Sequence, residues 1–340
     1  MNKRVVLIVG AGASKDLHNE FGLGSELIQQ IESRVADNRD LVTFFTQQQN
    51  INFGILQTFK NNLAHYRQES KFKSIDEFLT EVSIFPEYRD WRDEYLKIGK
   101  TAILFHVVGW EEHFKNILEP EMIQHTWVGQ IIKFLEDENI LDHYKNAKVI
   151  HSYLRILTFN YDRTLEYCLL KYYEKYKPDY LDAVKSWIEN YVIHIYDELD
   201  TAASQLGFGH PNNDLSTLIQ YIDKIQVAYD SRGYKLKKTI RLTNSSATFF
   251  QEDYIQSEVS STLILGSIGF GFDYFNCRNI GLTKRNNNIL ANIIVKDNEN
   301  SFDNRRYMTN SIRSMFPSVD FKYMPCKDFL EHIFNIPGFV

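Results

Sequence analysis

Cysteine is scarce in this chain, and the few cysteines lie far apart. Cys168, Cys277 and Cys326 make no Cys-x-x-Cys pair. That excludes a four-cysteine structural zinc site and gives no basis for a disulfide framework, so the three read as buried or half-buried thiols. An excess of positive charge is also lacking: 38 Lys and Arg stand against 44 Asp and Glu, a net charge of -6. The one basic run, Lys235-Leu236-Lys237-Lys238, is too short to form a nucleic-acid face. No apolar stretch approaches the ~20 residues that span a bilayer. Val5 to Val9 is too short for a secretory signal and runs straight into glycine. The expectations are no direct nucleic-acid contact, no membrane and a cytoplasmic location. Internal repeats and low-complexity segments are missing as well.

What is present begins at once. Val5-Val6-Leu7-Ile8-Val9 is followed by Gly10-Ala11-Gly12-Ala13-Ser14. A buried strand that stops at small residues and leads into a helix-like stretch is one way a phosphate-binding loop is delivered. Gly10 and Gly12 permit a tight turn and close backbone approach, and amides at the next helix start attract a diphosphate. The third glycine of the dinucleotide fingerprint is missing, since Ala13-Ser14-Lys15 occupies that region. Taken alone, the pattern fits a sharp turn after a first strand equally well.

Residues 25–145 read mostly as helix. A capped start lies at Ser25 with apolar spacing near 3.6 through Ile31, a capping box at Ser74 and Glu77, an amphipathic stretch over 91–110 and another over 127–135. Strand signals return at 155–159, 191–196, 262–265 and 292–295. Their near-continuous apolar runs suit strands covered on both faces of a parallel sheet. Ligands of such sheets bind beyond the carboxyl ends of the strands. The pattern predicts an α/β fold, a Rossmann-like parallel sheet with a large helical insertion after the first βα unit. Residues 200–250 contain Gly207, Gly209, Pro211 and an amphipathic run over 215–228. Asn286-Asn287-Asn288 reads as an exposed turn.

Chemistry gathers at the strand ends. Asn160 and Asp162 sit where the chain leaves a strand. An amide there can hold a ribose hydroxyl or orient a water, and Asp162 can cap the helix that follows. Plain turn and cap chemistry is the competing account. His194 and Tyr196 lie two apart on a strand and share a face. A histidine near its free pKa can act as a base, although a strand histidine is also often a satisfied core residue. Gly266-Ser267-Ile268-Gly269-Phe270-Gly271-Phe272 forms a second glycine-rich loop, suited to close contact with a ribose or phosphate or to positive φ.

The Gly10–Ser14 loop, Ser74-Ile75-Asp76-Glu77-Phe78-Leu79, Thr158-Phe159-Asn160-Tyr161-Asp162 and the 266–272 loop occur in that order. Together they resemble the bacterial sirtuin-like domains of antiphage defence systems, over residues 5–300. The resemblance implies one sirtuin-like unit over 1–340, with a Rossmann-like core at 1–24 and 145–340 and a helical insertion at 25–144. It implies an NAD glycohydrolase that releases nicotinamide and ADP-ribose, with NAD as substrate and no metal. Carried over, Gly10, Ala11, Gly12, Ala13 and Ser14 would cradle the diphosphate. Thr158, Asn160 and Tyr161 would line the nicotinamide-ribose end, with Asn160 holding the ribose or the attacking water and Asp162 supporting it. Gly266, Ser267 and Gly269 would meet the adenosine ribose. Asp76 matches a motif of the inserted helices.

The departures shape the rest. The zinc-binding cysteines of deacetylating sirtuins are absent, which disfavours deacetylation. The His-Gly pair of the family is absent too: Tyr196 stands at the histidine position and Asp197 at the glycine position. His194 on the same strand face becomes the base candidate, with Tyr196 and His210 in reserve. An effector of this kind needs control, so the resemblance implies a separately encoded sensor, a HerA-type ATPase or a nucleotide-hydrolase-like protein, and a homo- or hetero-oligomer. A non-catalytic module that binds NAD or ADP-ribose and regulates a partner is the alternative.

Overall fold

Apolar side chains fill every position from Val5 to Val9, and a strand of that kind must be covered on both faces. The computed structural model describes residues 4–69, 74–146, 153–195, 239–241, 248–250, 264–272, 276–277, 280, 282, 289–293 and 320–335. Its strands are β1 (Arg4–Val9), β2 (Tyr153–Thr158), β3 (Val192–His194), β4 (Thr239–Arg241), β5 (Thr248–Phe250), β6 (Ile264–Ile268), β7 (Ile289–Ile293) and β8 (Asp320–Tyr323). Six of them form one sheet in the order β3-β2-β1-β6-β7-β8, and every pair in it is parallel. Within the sheet this is the doubly wound order 3-2-1-4-5-6. The chain reverses direction of growth between β1 and β6, and sheets of this order bind ligands beyond the carboxyl ends of the strands at that point. β4 and β5 pair separately as an antiparallel ribbon.

Alternation along β1 divides the core. Val6 and Ile8 face one side with Leu157, Ile193 and Leu265. Val5, Leu7 and Val9 face the other with Leu154, Ile156 and Ile268. Each of these buried aliphatic side chains contributes about 1.5–3 kcal/mol relative to exposure.

The helices follow that division. α1 (Ala11–Leu17) leaves β1 directly; α2 (Gly24–Arg34), α3 (Arg39–Thr43), α4 (Phe53–Glu69), α5 (Ile75–Ile84) and α6 (Arg92–Ile117) come next. α2, α4, α5 and most of α6 cover the Val6 face. After the short α7 (Pro120–Ile123), α8 (Trp127–Asp137) and α9 (Ile140–Lys145) cross to the Val5 face. There they join α10 (Thr164–Tyr176), α11 (Leu181–Tyr191) and the last helix, α12 (Cys326–Phe334). The 25–144 stretch is therefore shared between the two faces of the sheet.

Several elements sit close to where the sequence places them. The capping box is formed, with Glu77 N donating to Ser74 Oγ at 3.3 Å and Ser74 N donating to Glu77 Oε2 at 3.1 Å. Two strands are displaced. β6 runs over 264–268 rather than 262–265, and β7 over 289–293 rather than 292–295. β8 and α12, which close the sheet, carry no signal strong enough to be read in advance. Tyr196, Asp197, His210, the 215–228 run, the 235–238 basic run and the asparagine triplet lie outside the described residues. Among the described residues no helix is long and apolar enough to cross a membrane.

The displacement of β6 changes the meaning of Gly266. It lies inside the strand, and a Cβ there would come within 2.7 Å of Ile333 Cδ1 on α12 and 3.4 Å of Leu7 Cδ1. This glycine makes room for helix packing. Gly266→Val is expected to lower stability by about 1–3 kcal/mol, read as a lower urea midpoint, and Ile333→Ala in the same chain should recover part of the loss.

Candidate active site at the crossing point of the sheet

The loops that follow β1 and β6 touch backbone to backbone. Gly10 N donates to Ile268 O at 3.0 Å, and Gly12 N donates to Gly269 O at 3.0 Å. Side chains are excluded here. A Cβ on Gly10 would lie 2.5 Å from Gly269 O, one on Gly12 2.8 Å from Gly269 Cα, and one on Gly269 2.0 Å from Ala13 N. Gly269 also has φ +59°, in the left-handed region that glycine occupies without strain. Ala13 N donates to Gly10 O at 2.8 Å. The amides of Gly12 and Ala13 are thus engaged within the protein, and the glycines serve the close packing of one loop on the other.

The same clasp sets α1 in place. Trp127 of α8, fully buried, donates from Nε1 to Ala13 O at 3.0 Å. Lys15 pairs with Glu26 on α2. Ser14, 3% exposed, is thereby presented to the turn that leaves β2.

That turn carries the polar cluster. The Thr158 hydroxyl accepts from Asn160 N at 3.1 Å and fixes the exit from the strand. Asn160 Nδ2 donates to Ser14 Oγ at 2.9 Å. The Ser14 hydroxyl donates in turn to the Asp162 carboxylate, 3.0 Å from both oxygens. Asp162 Oδ1 also accepts from Thr164 N at 3.2 Å, so it anchors the start of α10 as well. Burial pushes the Asp162 carboxyl up to about 6, opposed by the hydrogen bonds from Thr164 and Ser14 and reinforced by the nearby Glu111 charge. Asn160 Oδ1 is buried and meets no hydrogen-bond donor among the described residues.

His194 ends β3 beside Thr158, its register partner. Its Nδ1 lies 3.0 Å from Asn160 O and its Nε2 2.8 Å from Glu166 Oε1, and the residue is 6% exposed. A carbonyl oxygen only accepts, so Nδ1 is the ring nitrogen that donates to Asn160 O. Neither nitrogen is open to a water. In this geometry the two ring nitrogens of His194 meet the Asn160 backbone and Glu166.

The structure brings Gly10, Ala11, Gly12, Ala13, Ser14, Thr158, Asn160, Asp162, His194 and Gly269 to one end of the sheet. It takes Gly266 away, into the middle of β6. Ser267 is completely buried in that strand, and its hydroxyl meets no partner among the described residues. Tyr161 turns from the crevice toward the inserted helices, where its hydroxyl donates to Asp76 Oδ1 at 2.5 Å. Two residues of the neighbourhood escape a motif reading. Glu166 sits one helical turn beyond Asp162, in the first turn of α10. Glu111 is wholly buried between Val108 and Phe114 on α6, and a charge at apolar spacing is the signal that marks it. Among the described residues no group of three His, Cys, Asp or Glu is arranged to hold a metal ion. The chain matches no protein-family profile and no curated protein sequence.

The raised Asp162 pKa has a thermodynamic sign. The folded state holds this proton more tightly than the unfolded chain, so Asp162 destabilises progressively as pH rises from about 4 through 6. The slope is worth on the order of 2–3 kcal/mol at ~1.36 kcal/mol per pKa unit. Urea midpoints for the parent and for Asp162→Asn, measured from pH 4 to 7, should diverge across that window, with the parent losing stability relative to the variant.

Proposed function

We propose that this chain is an NAD glycohydrolase, a sirtuin-like effector that cleaves NAD to nicotinamide and ADP-ribose. The observation that carries the reading is the buried Asn160 Oδ1, an acceptor without a protein donor among the described residues, at the crossing point of a doubly wound sheet. An orphaned buried acceptor has a cost unless a ligand hydroxyl or a water completes it. In such sheets that position is where a dinucleotide lies. The residues around it match the chemistry: an amide for a ribose hydroxyl or water, and a carboxylate beside it.

The division of labour is as follows. The glycine clasp receives the diphosphate. Asn160 Oδ1 accepts from the nicotinamide-ribose hydroxyl or the incoming water. As the glycosidic bond breaks, positive charge grows on the ribose, and the Asp162 carboxylate stabilises it. Asp162 then takes the proton from the attacking water. A carboxyl raised to about 6 is ionised at neutral pH yet basic enough for that transfer. Ser14 keeps the amide and the carboxylate in one plane of contact, and His194 with Glu166 holds the Asn160 backbone.

The defence role, the cytoplasmic setting and a separately encoded activator, a HerA-type ATPase or a nucleotide-hydrolase-like protein, belong to the same proposal and rest on the resemblance. The single-unit division, core at 1–24 and 145–340 and insertion at 25–144, belongs to it too. Exposed Ile84, Phe85 and Trp91, each more than 40% accessible within eight residues, agree with a protein contact or oligomer on the inserted helices.

Nicotinamide release from NAD, followed with the chain alone and with the protein encoded beside it, tests the reading. Asn160→Ala and Asp162→Asn should each reduce the rate by about 100-fold or more. His194→Ala should reduce it through displacement of Asn160. NAD binding with no release under any of these conditions would transfer the reading to a regulatory NAD- or ADP-ribose-binding module.

A further inference from the structure

Four consecutive residues leave β2, and their side chains alternate in what they hold. Asn160 and Asp162 both bond Ser14. Tyr161 and Arg163 bond carboxylates from two inserted helices instead. The Tyr161 hydroxyl donates to Asp76 Oδ1 on α5 at 2.5 Å. Arg163 gives its backbone N–H and Nε to Glu111 Oε1 on α6, at 2.8 and 3.2 Å, and its Nη2 to Glu111 Oε2 at 2.5 Å. We propose that Asp76 and Glu111 are positioning residues of the reaction: the inserted helices aim Asn160 and Asp162 by gripping the residues between and beyond them. This rests on the glycohydrolase reading above.

The argument is one of constraint. The turn has left the sheet ladder, so side chains from elsewhere must define its backbone. The Glu111 carboxylate is wholly buried and meets a backbone amide as well as the guanidinium, a fork that fixes both the main chain and the side chain of Arg163. Stability alone is a weak reason for such a pair, since a buried ion pair gains little over well-packed apolar residues. A fixed turn beside a reacting group is a stronger one, because displacement of about 1 Å at a catalytic group can cost 10²-fold in rate. Asp76 lies in the first turn of α5, where the helix start also favours a carboxylate.

The test measures kcat and KM for nicotinamide release together with the urea midpoint, in the full chain with its activating partner. Tyr161→Phe and Asp76→Ala each break the hydrogen bond between these two side chains. Each is expected to lower kcat by about tenfold or more with KM changed by less than about twofold. The double variant should be no worse than either single, because both remove the same contact. Glu111→Gln should lower kcat as well, and the Tyr161 and Asp76 variants decide the matter if that chain fails to fold. Unchanged kcat in both, a rise in KM instead, or losses that add and follow the midpoint would overturn the proposal. A parent chain that releases no nicotinamide would overturn the glycohydrolase reading, and the positioning role with it. An active parent with indifferent variants would overturn the positioning role alone.

Discussion

The contact between the two glycine loops is the constraint on which the site depends. Gly10 and Gly12 press against Gly269 so closely that no side chain fits at any of the three. The contact ties the end of β1 to the end of β6, the two strands on either side of the crossing point. With those ends fixed, α1 has one direction in which to leave, and Ser14, four residues past Gly10, meets the turn after β2. A larger loop at 269 would separate the strand ends and withdraw Ser14 from Asn160 and Asp162. The clasp thus converts a local backbone property, positive φ at Gly269, into the geometry of a polar cluster formed by distant parts of the chain.

Charge in that neighbourhood is nearly balanced, and the imbalance is informative. Glu111 is matched by Arg163, and Glu166 faces His194 Nε2 at 2.8 Å. Asp162 is the carboxylate for which no cation is shown. It has hydroxyl and amide donors in place of a counter-ion, while Glu111 adds to the negative field around it. Burial is the main cause of its raised pKa, the Glu111 charge adds to it, and the hydroxyl and amide donors oppose it. The same burial drives the Cys168 thiol upward, reinforced by Glu166 and Asp162, so this cysteine is an inert packing group of α10.

The parallel α/β sheet was legible because it rests on local pattern. Five apolar residues at 5–9 announce a strand covered on both faces, and Ser74 with Glu77 announces the start of α5. The polar turn at 158–162 was legible as a strand exit because it follows an apolar run. What stayed hidden depends on contacts between remote segments. Gly266 reads as a loop glycine by its neighbours, yet the side chain of Ile333, nearly seventy residues away, decides that it belongs inside β6. Glu111 looks like one more charge on a long helix until Arg163 is placed beside it. β8 and α12 have short or mixed patterns that gain meaning only when the sheet offers them an edge and a face.

His194 shows how register can overrule a residue's chemistry. A histidine on a strand face that ends in a crevice has the right pKa for a base. Parallel pairing sets His194 level with Thr158, two residues before Asn160 along β2. From there the ring reaches the Asn160 carbonyl and no further, and Glu166, rising from the first turn of α10, closes its other side. A base would have to lie beyond the strand end, where side chains project into the crevice. Asp162 lies past the sheet, on the turn that follows β2, and Ser14 meets it there. In the proposed reaction the proton-accepting role therefore falls to the Asp162 carboxylate for a geometric reason, and the imidazole holds the Asn160 backbone in place.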